Sequence, residues 1–401
     1  MRTCPVPASP PPSSRSVGEA RLLITPSASI FEKLNLWRDF LPGTLADKLG
    51  PLAAGGTANE SFAAGELVAG WSAGHVHRLR PDRIKLMLRT GQEIAPQPGR
   101  FYPRGMVEGL PDTFRGDRRP LRYLGMKDSL AVVDLNHPLA SFPLAVEGRI
   151  VTDLGMASEH GGRSQDVPQE LCDHGPGMQA PHPDAAVDFQ NNEAFARLDE
   201  RADKLFYHQP RLVQHLDAEV RGQIVGLHAR FLEPGMKVLD LMSSWVSHLP
   251  DMELAVAGLG LNAEELEQNP RLTERTVHDL NEQPTLPYPD ACFDAVVCTA
   301  SVEYLVKPVE VFREVRRVLK AGAPFVLTFS ERWFPPKVIA LWPMLHPFER
   351  LGLVLGYFRQ SECFADLGTE TARGWPRPED DPYAGQLPDA DPLYAVWGRA
   401  A

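Results

Sequence analysis

From about Phe189 onward the chain alternates short apolar runs with helix-patterned stretches, and this alternation leaves few folds open. "KVLDLM", "LAVAGLGL", "RTVHDL", "FDAVVCTA" and "PFVLTF" read as five successive strands. The fourth is nearly all apolar, as a strand buried on both faces should be. Between them lie helical patterns. Val220, Ile224, Leu227 and Phe231 share a face before Pro234-Gly235 stops the run. Asn262 is placed to cap a helix with Glu264 and Glu265 in its first turn. Pro308 opens another whose stripe is Val311, Phe312, Val315, Val318 and Leu319, ended by Gly322. Strand–helix alternation of this kind predicts an α/β fold, a doubly wound parallel sheet with right-handed crossovers.

The first half has a different grammar. Residues 1–28 are rich in Pro and Ser and read as a disordered tail, although their poverty in acids leaves a transit peptide open. Residues 29–152 carry short strand-like runs with turn signals every eight to twelve residues, which predicts a small β-rich (α+β) domain. Residues 153–187 hold Gly, Pro and polar residues without periodicity and read as a linker. The α/β domain then spans 188–401. His160, His174 and His182 match no metal-ligand spacing, so no metal site is expected.

Composition excludes some functions. A net charge of −11 argues against a general nucleic-acid binder. No apolar run reaches the ~18 residues of a membrane span; "VIALWPMLHPFERLGLVLG" is broken by prolines and charges. Five cysteines without C-x-x-C spacing fit reduced thiols, so a cytoplasmic protein is expected.

In an open α/β sheet, ligands bind beyond the carboxyl ends of the strands. The residues there are Asp240, Leu241, Met242, Ser243, Ser244 and Trp245 after the first strand, Gly258, Gly260 and Asn262 after the second, and Asp279 and Leu280 after the third. Thr299, Ala300, Ser301, Glu303 and Tyr304 follow the fourth.

"VLDLMSSWVSHLP", "DLNEQPTLPYPDACFDAVVCTASVEYL" and "VFREVRRVLKAGAPFVLTFS" resemble the successive motifs of class I S-adenosylmethionine-dependent methyltransferases, of the methyltransferase type 11 kind. The likeness covers about 190–400. It implies a Rossmann-like seven-stranded sheet, with "DPLYAVWGR" as the antiparallel last strand, and S-adenosyl-L-methionine as cofactor. By position, Asp240 would steer the methionine amino group, with the amides around Ser243 and Ser244 near the carboxylate. Asp279 would take the adenine amino group, beside the Leu280 amide. The chemistry suits these places: a helix N-terminus offers N–H groups to a carboxylate, and an aspartate beside an ammonium makes a charge-assisted bond. Trp245 would face the cofactor, or else fill the core in a first helical turn. Met242, Thr299 and Tyr304 complete the expected cofactor wall.

One departure stands out. The acid that grips the ribose hydroxyls in such enzymes falls on Gly260, so Asn262 or backbone groups would have to stand in. A catalytic base is needed only if the acceptor must lose a proton. Glu303, Tyr304 and His248 lie where one could sit, and the sequence does not choose among them. "SERWFPPKVIALW" is the expected acceptor wall, its Trp333, Phe334 and Trp342 lining a pocket or filling the core. Tyr207 and Arg211 are placed to cover the cofactor.

"LAVVDLNHPLASFPLAVEGRI" resembles the flap-insert region of FKBP-type peptidyl-prolyl isomerases of the SlyD kind. Asn136 tolerates a left-handed turn and Pro138 keeps His137 extended. No aromatic prolyl pocket is identifiable between residues 30 and 90, so an FKBP-like docking module is expected. The reading is therefore a methyltransferase acting on an unidentified small molecule or protein. Two alternatives are a peptidyl-prolyl isomerase or chaperone with a non-catalytic methyltransferase-like domain, and a dinucleotide oxidoreductase. No G-x-G-x-x-G follows any strand to support the latter.

Overall fold

The front of the chain builds strands from short runs that hide one side chain in two. The computed structural model describes residues 19–23, 27–31, 34–36, 38–86, 93–155, 164–180, 182–183, 185, 187, 189 and 194–401. Strands β1 (Glu19–Leu23), β2 (Ser27–Phe31), β3 (Thr57–Phe62) and β8 (Leu144–Arg149) pair antiparallel in the order β2-β1-β8-β3. A second sheet of four antiparallel strands runs β4 (Val76–Leu79), β7 (Leu130–Asp134), β6 (Pro120–Lys127), β5 (Phe101–Pro103). Alternation makes the cores: Leu144, Val146 and Gly148 point inward from β8, packing with Ile30, Leu45 and Leu49, the last two from helix α1 (Leu45–Leu49).

Two expectations need correction here. The tail was expected to run to residue 28, yet Glu19–Leu23 is a paired strand; a short run inside Pro/Ser-rich sequence gives too weak a periodicity to show. Residues 1–18 lie outside the described ones. The linker expected at 153–187 contains helix α2 (Val167–Cys172), capped by Asp166 accepting the Gln169 N–H at 3.1 Å. Leu171 and Cys172 are buried against the front core, so a cap and three apolar positions outweigh the Gly/Pro composition around them. His160 lies outside the described residues. His182 contacts Asp134 at 3.3 Å, and no cluster of three metal-ligating side chains exists among the described residues. Asn136 does not take a left-handed conformation. Its side chain accepts the Ser72 N–H at 2.8 Å and donates to the Ser72 carbonyl at 2.9 Å. The Asn-His-Pro-Leu-Ala turn thus carries the chain from β7 in one sheet to β8 in the other.

The second half supplies helix α3 (Asp203–Phe206), α4 (Ala218–His228), β9 (Lys237–Leu241), β10 (Ala255–Gly260), α5 (Ala263–Gln268), β11 (Glu274–Val277) and β12 (Ala295–Thr299). It continues through α6 (Pro308–Val318), β13 (Pro324–Phe329), α7 (Pro347–Ser361), β14 (Phe364–Arg373) and β15 (Leu393–Ala400). Strands from this half lie in the order β11-β10-β9-β12-β13-β15-β14. The pairs among β9 to β13 are parallel, and β15 is antiparallel to both neighbours. Strand order therefore reverses at β9, between β10 and β12, which opens a crevice at the carboxyl ends. Every residue of β13 is buried, and Val311, Phe312, Val315 and Val318 pack α6 against the sheet.

The sheet does not stop at that half. Strand β2 pairs parallel with β14, giving eleven strands in one sheet. The front also docks on α7: Arg100 Nε donates to Glu349 Oε1 at 2.8 Å, with both side chains almost fully buried, and the Phe101 ring meets Phe348 edge-on at 5.2 Å. A further correction concerns β9. A helix was expected to follow it, but residues 242–254 form neither helix nor strand. The loop's polar groups bond instead to the body of the domain, as described next.

Candidate active site

The carboxyl ends of β9, β10, β11 and β12 line one cleft. All of Asp240, Met242, Ser243, Ser244, Trp245, Gly260, Asn262, Asp279, Leu280, Thr299 and Tyr304 face it. The structure thus brings these residues together, but it does not use them all alike.

Asp240 ends β9 and is 5% exposed. Ser243 Oγ and Ser247 Oγ both donate to its Oδ2, at 2.7 and 2.5 Å, leaving Oδ1 with no protein donor among the described residues. Burial pushes the carboxyl up to about 6, against the pull of the two hydroxyls. A buried carboxylate with one open oxygen gains from a cation brought beside it.

The turn after β9 bends where glycines would ordinarily permit it. Met242 has φ +58°, a conformation that costs an L-residue about 1–2 kcal/mol. The Ser243 N–H donates to the Leu259 carbonyl at 2.8 Å. The amides of Ser244, Trp245, Val246 and Ser247 have no protein acceptor among the described residues. Open N–H groups in succession form an anion-binding concavity without needing a helix. Asn269, fully buried, donates to the Ser244 carbonyl and to Ser247 Oγ at 2.8 and 2.9 Å and pins the loop.

Gly260 shows why no acid ends β10. A Cβ there would lie 2.2 Å from the Ser243 carbonyl oxygen, so the turn after β9 occupies the space a side chain would need. Nor is Asn262 free to replace the acid. Its Oδ1 caps α5 through the Glu265 N–H at 3.0 Å, and its Nδ2 donates to the Tyr207 and His208 carbonyls at 2.8 and 3.0 Å. Glu265, one turn along α5, is the carboxylate on this wall; it accepts Ser244 Oγ at 2.6 Å and the Arg211 N–H at 2.8 Å.

Asp279 follows β11, and its Oδ1 accepts the Asn281 and Glu282 N–H groups at 2.9 and 3.2 Å. Leu280 is buried beside it. Past β12, Ala300 also turns left-handed, with φ +47°. Thr299 offers its carbonyl to Ser301 Oγ at 2.9 Å. Tyr304 accepts the Phe334 N–H at 2.8 Å on its hydroxyl oxygen, and burial raises its pKa well above the usual range. Trp245 sits half-buried in the loop and donates its indole N–H to the Val213 carbonyl at 3.2 Å. With no helix there, its alternative place in a first helical turn disappears.

The remaining candidates separate. His248 lines the cleft, and burial lowers its pKa to about 4, leaving a neutral imidazole. Glu303 does not line the cleft: it is 1% exposed, pushed up to about 8 by burial, with Oε2 unpartnered. Phe334 lines the cleft, while Trp342 is fully buried against Phe329 in the core. Trp333 stays half-buried beneath the Arg350 guanidinium. Tyr207 and Arg211 both face the cleft from the segment that crosses it. Ser247, Glu265 and Asn269 were not expected. The three serines of "LMSSWVS" and the Asn262-Glu265 spacing were the available signals; their meaning depends on how the loop folds back over β10.

An α/β sheet with its order reversing at β9, and a polar cleft at that reversal, defines the class of protein. Residues 243–327 match the methyltransferase domain family. No curated protein matches the chain. Among solved structures, the [4+2]-cyclase SpnF is 16% identical, with 48% of this chain and 89% of that one covered and a TM-score of 0.36. Phosphoethanolamine N-methyltransferase 2 of Haemonchus contortus, in complex with S-adenosyl-L-methionine, is 13% identical over 44% and 52%, with a TM-score of 0.32. A SAM-dependent methyltransferase of Aquifex aeolicus is 15% identical over 50% and 97%, with a TM-score of 0.31.

Proposed function

We propose that the cleft binds S-adenosyl-L-methionine and that the chain transfers its methyl group to an acceptor entering from the β12–β13 side. The bound sulfonium supplies an activated methyl group and a good leaving group. The observation that carries this reading is the convergence at one crevice of a buried carboxylate with an open oxygen, a run of unpartnered amides and the Asp279-Leu280 tip. These groups match the ammonium, carboxylate and nucleoside ends of one molecule.

Asp240 Oδ1 would hold the ammonium, and the Ser244–Ser247 amides the carboxylate. Asp279 would take the adenine amino group through Oδ2, its Oδ1 being spent on the turn, with the Leu280 N–H beside it. Glu265 would accept the ribose hydroxyls in place of the acid that Gly260 excludes. Trp245 and Tyr304 add apolar walls that keep water from the reacting centre. Alignment of a nucleophile in such a site supplies most of the acceleration.

The front half is read as an FKBP-like docking module, supported by its sequence likeness over 130–150. No helix among the described residues is long and apolar enough to cross a membrane. The acceptor is a small molecule or a protein rather than nucleic acid, in keeping with the acidic net charge.

Calorimetric titration with S-adenosylmethionine and S-adenosylhomocysteine tests the reading. The wild-type chain should bind both, and Asp240→Ala should lose at least about tenfold in affinity. No binding by the wild type would remove the cofactor assignment. Equal binding by the variant would remove the role of Asp240. A proline-isomerisation assay that gave turnover without cofactor affinity would favour the isomerase alternative.

A further inference from the structure

Among the described residues lining the cleft, Arg211 is the only Lys or Arg. Its guanidinium has no carboxylate partner among the described residues. Nη2 donates to the Phe206 carbonyl at 3.1 Å, but Nη1 is buried without any hydrogen-bond acceptor. A buried N–H left unpaired on a charged group is costly, and such an orphan calls for explanation. The neighbouring carboxylates do not provide one. Asp203 is taken by Arg197 at 2.7 Å and Lys337 at 3.1 Å, and Glu265 receives the Arg211 backbone N–H, not its side chain.

What surrounds the guanidinium is aromatic. Its central carbon lies 4.5 Å from the Phe206 ring centroid, 5.1 Å from that of Phe334 and 5.7 Å from that of Tyr207. His215 packs edge-on to Phe334 at 5.2 Å, and burial keeps its imidazole below the usual pKa. Aromatic packing holds the fork in place and dries it, which strengthens any charge-assisted bond it makes.

The place of the guanidinium bears on what it could hold. The backbone of Arg211 is tied to α5 at the β10 side, while its guanidinium lies against Phe334, from the segment after β13. That is the side of the cleft left over once the methionine and nucleoside ends are assigned to β9, β10 and β11. The methionine carboxylate already has the Ser244–Ser247 amides. We infer that Arg211 is the anchor for an anionic group on the methyl acceptor, a carboxylate or a phosphoryl group, held in its aromatic collar. This inference rests on the cofactor reading above.

The test uses the full chain saturated with S-adenosylhomocysteine and titrated separately with benzoate and inorganic phosphate. At least one anion should bind the loaded wild type, and Arg211→Met should weaken that binding about tenfold or more. The variant keeps the stem packed against the rings, and Arg211→Gln with a thermal melt guards against simple misfolding. S-adenosylhomocysteine affinity should stay within about twofold in both variants, because the amides and not Arg211 hold its carboxylate. The benzoate and phosphate arms separate a carboxylate from a phosphoryl acceptor. Loaded wild type that binds neither anion, or variants that bind them equally well, would overturn the inference while leaving the cofactor site intact. A variant that instead lost S-adenosylhomocysteine tenfold would give Arg211 to the cofactor. Failure of the wild type to bind S-adenosylhomocysteine at all would bring down the cofactor reading and this inference with it.

Discussion

The front and the cleft both hold non-glycine residues in left-handed backbone, but for different reasons. In the front, Asp128 and Ser129 (φ +51° and +63°) form the tip joining β6 and β7, where small polar side chains suit a tight hairpin. At the cleft the residues are Met242 and Ala300, which have no local polar bond to offer. Strain of this kind is common where geometry serves a ligand, although Ala291 (φ +50°) carries it in an exposed turn outside the cleft. Two buried carboxylates give a second contrast. Arg100 and Glu349 are paired where the front meets α7, whereas Asp240 in the cleft keeps an open oxygen; Glu303, buried outside the cleft, has no partner for Oε2. The front leaves buried polar atoms unpaired as well, Arg122 Nε among them, so the contrast is between two carboxylates: Glu349 is paired with a cation and Asp240 is not.

The largest expected effect breaks the front without touching the cleft. Arg100→Met removes the cation from buried Glu349, leaving it the Phe101 and His346 N–H groups, and should cost up to about 3–5 kcal/mol of stability by urea denaturation, with S-adenosylhomocysteine affinity retained by the folded fraction. Loss of affinity out of proportion to unfolding would show that the two regions are not separable. Next, Asp240→Asn keeps the shape but removes the charge. Cofactor affinity should fall about 10- to 100-fold, from a charged hydrogen bond of about 1.5–3 kcal/mol, while melting temperature holds or rises at neutral pH.

A pH series sharpens the contrast. Glu303 in the folded chain is raised to about 8, so the stability tied to its protonated form is present below the ordinary carboxyl range and lost as pH climbs through 8. Glu303→Gln should flatten that loss, gaining up to about 5 kcal/mol over wild type at the alkaline end. Asp117, in the front, is held low by Arg119; its contribution is present above the ordinary carboxyl range and disappears in acid. Opposite slopes from Glu303→Gln and Asp117→Asn are expected in denaturation curves. The smallest effect concerns backbone strain. Ala300→Gly should raise stability by about 1 kcal/mol, while Asp128→Gly changes it by less than about 0.5 kcal/mol.

The division also explains what could be read from sequence. Strands β9, β10, β12, β13 and β15 are apolar runs bounded by turn residues, and burial on both faces writes itself into such runs; β11, Glu-Arg-Thr-Val at the sheet edge, is mostly exposed and was legible only from its place in the alternation. Strand β14 mixes exposed and buried positions and carried no comparable signature. Strand β1 and helix α2 are too short to stand out from the Pro, Gly and Ser around them. The strand tips could be named because the fold class dictates where they meet. Contacts such as Asn269 on Ser244, or Glu265 on Ser244 and the Arg211 amide, depend on a helix-free loop after β9 that no periodicity announces. The continuous sheet was equally hidden, since pairing of β2 with β14 joins residues more than three hundred positions apart.

A crystal structure of the full chain with S-adenosylhomocysteine tests the central claim most directly. The amino group should lie on Asp240 Oδ1, the carboxylate on the Ser244–Ser247 amides and the adenine beside Asp279 and Leu280. A ligand seated elsewhere on the chain, or one in the cleft that leaves the second oxygen of Asp240 untouched, would contradict it.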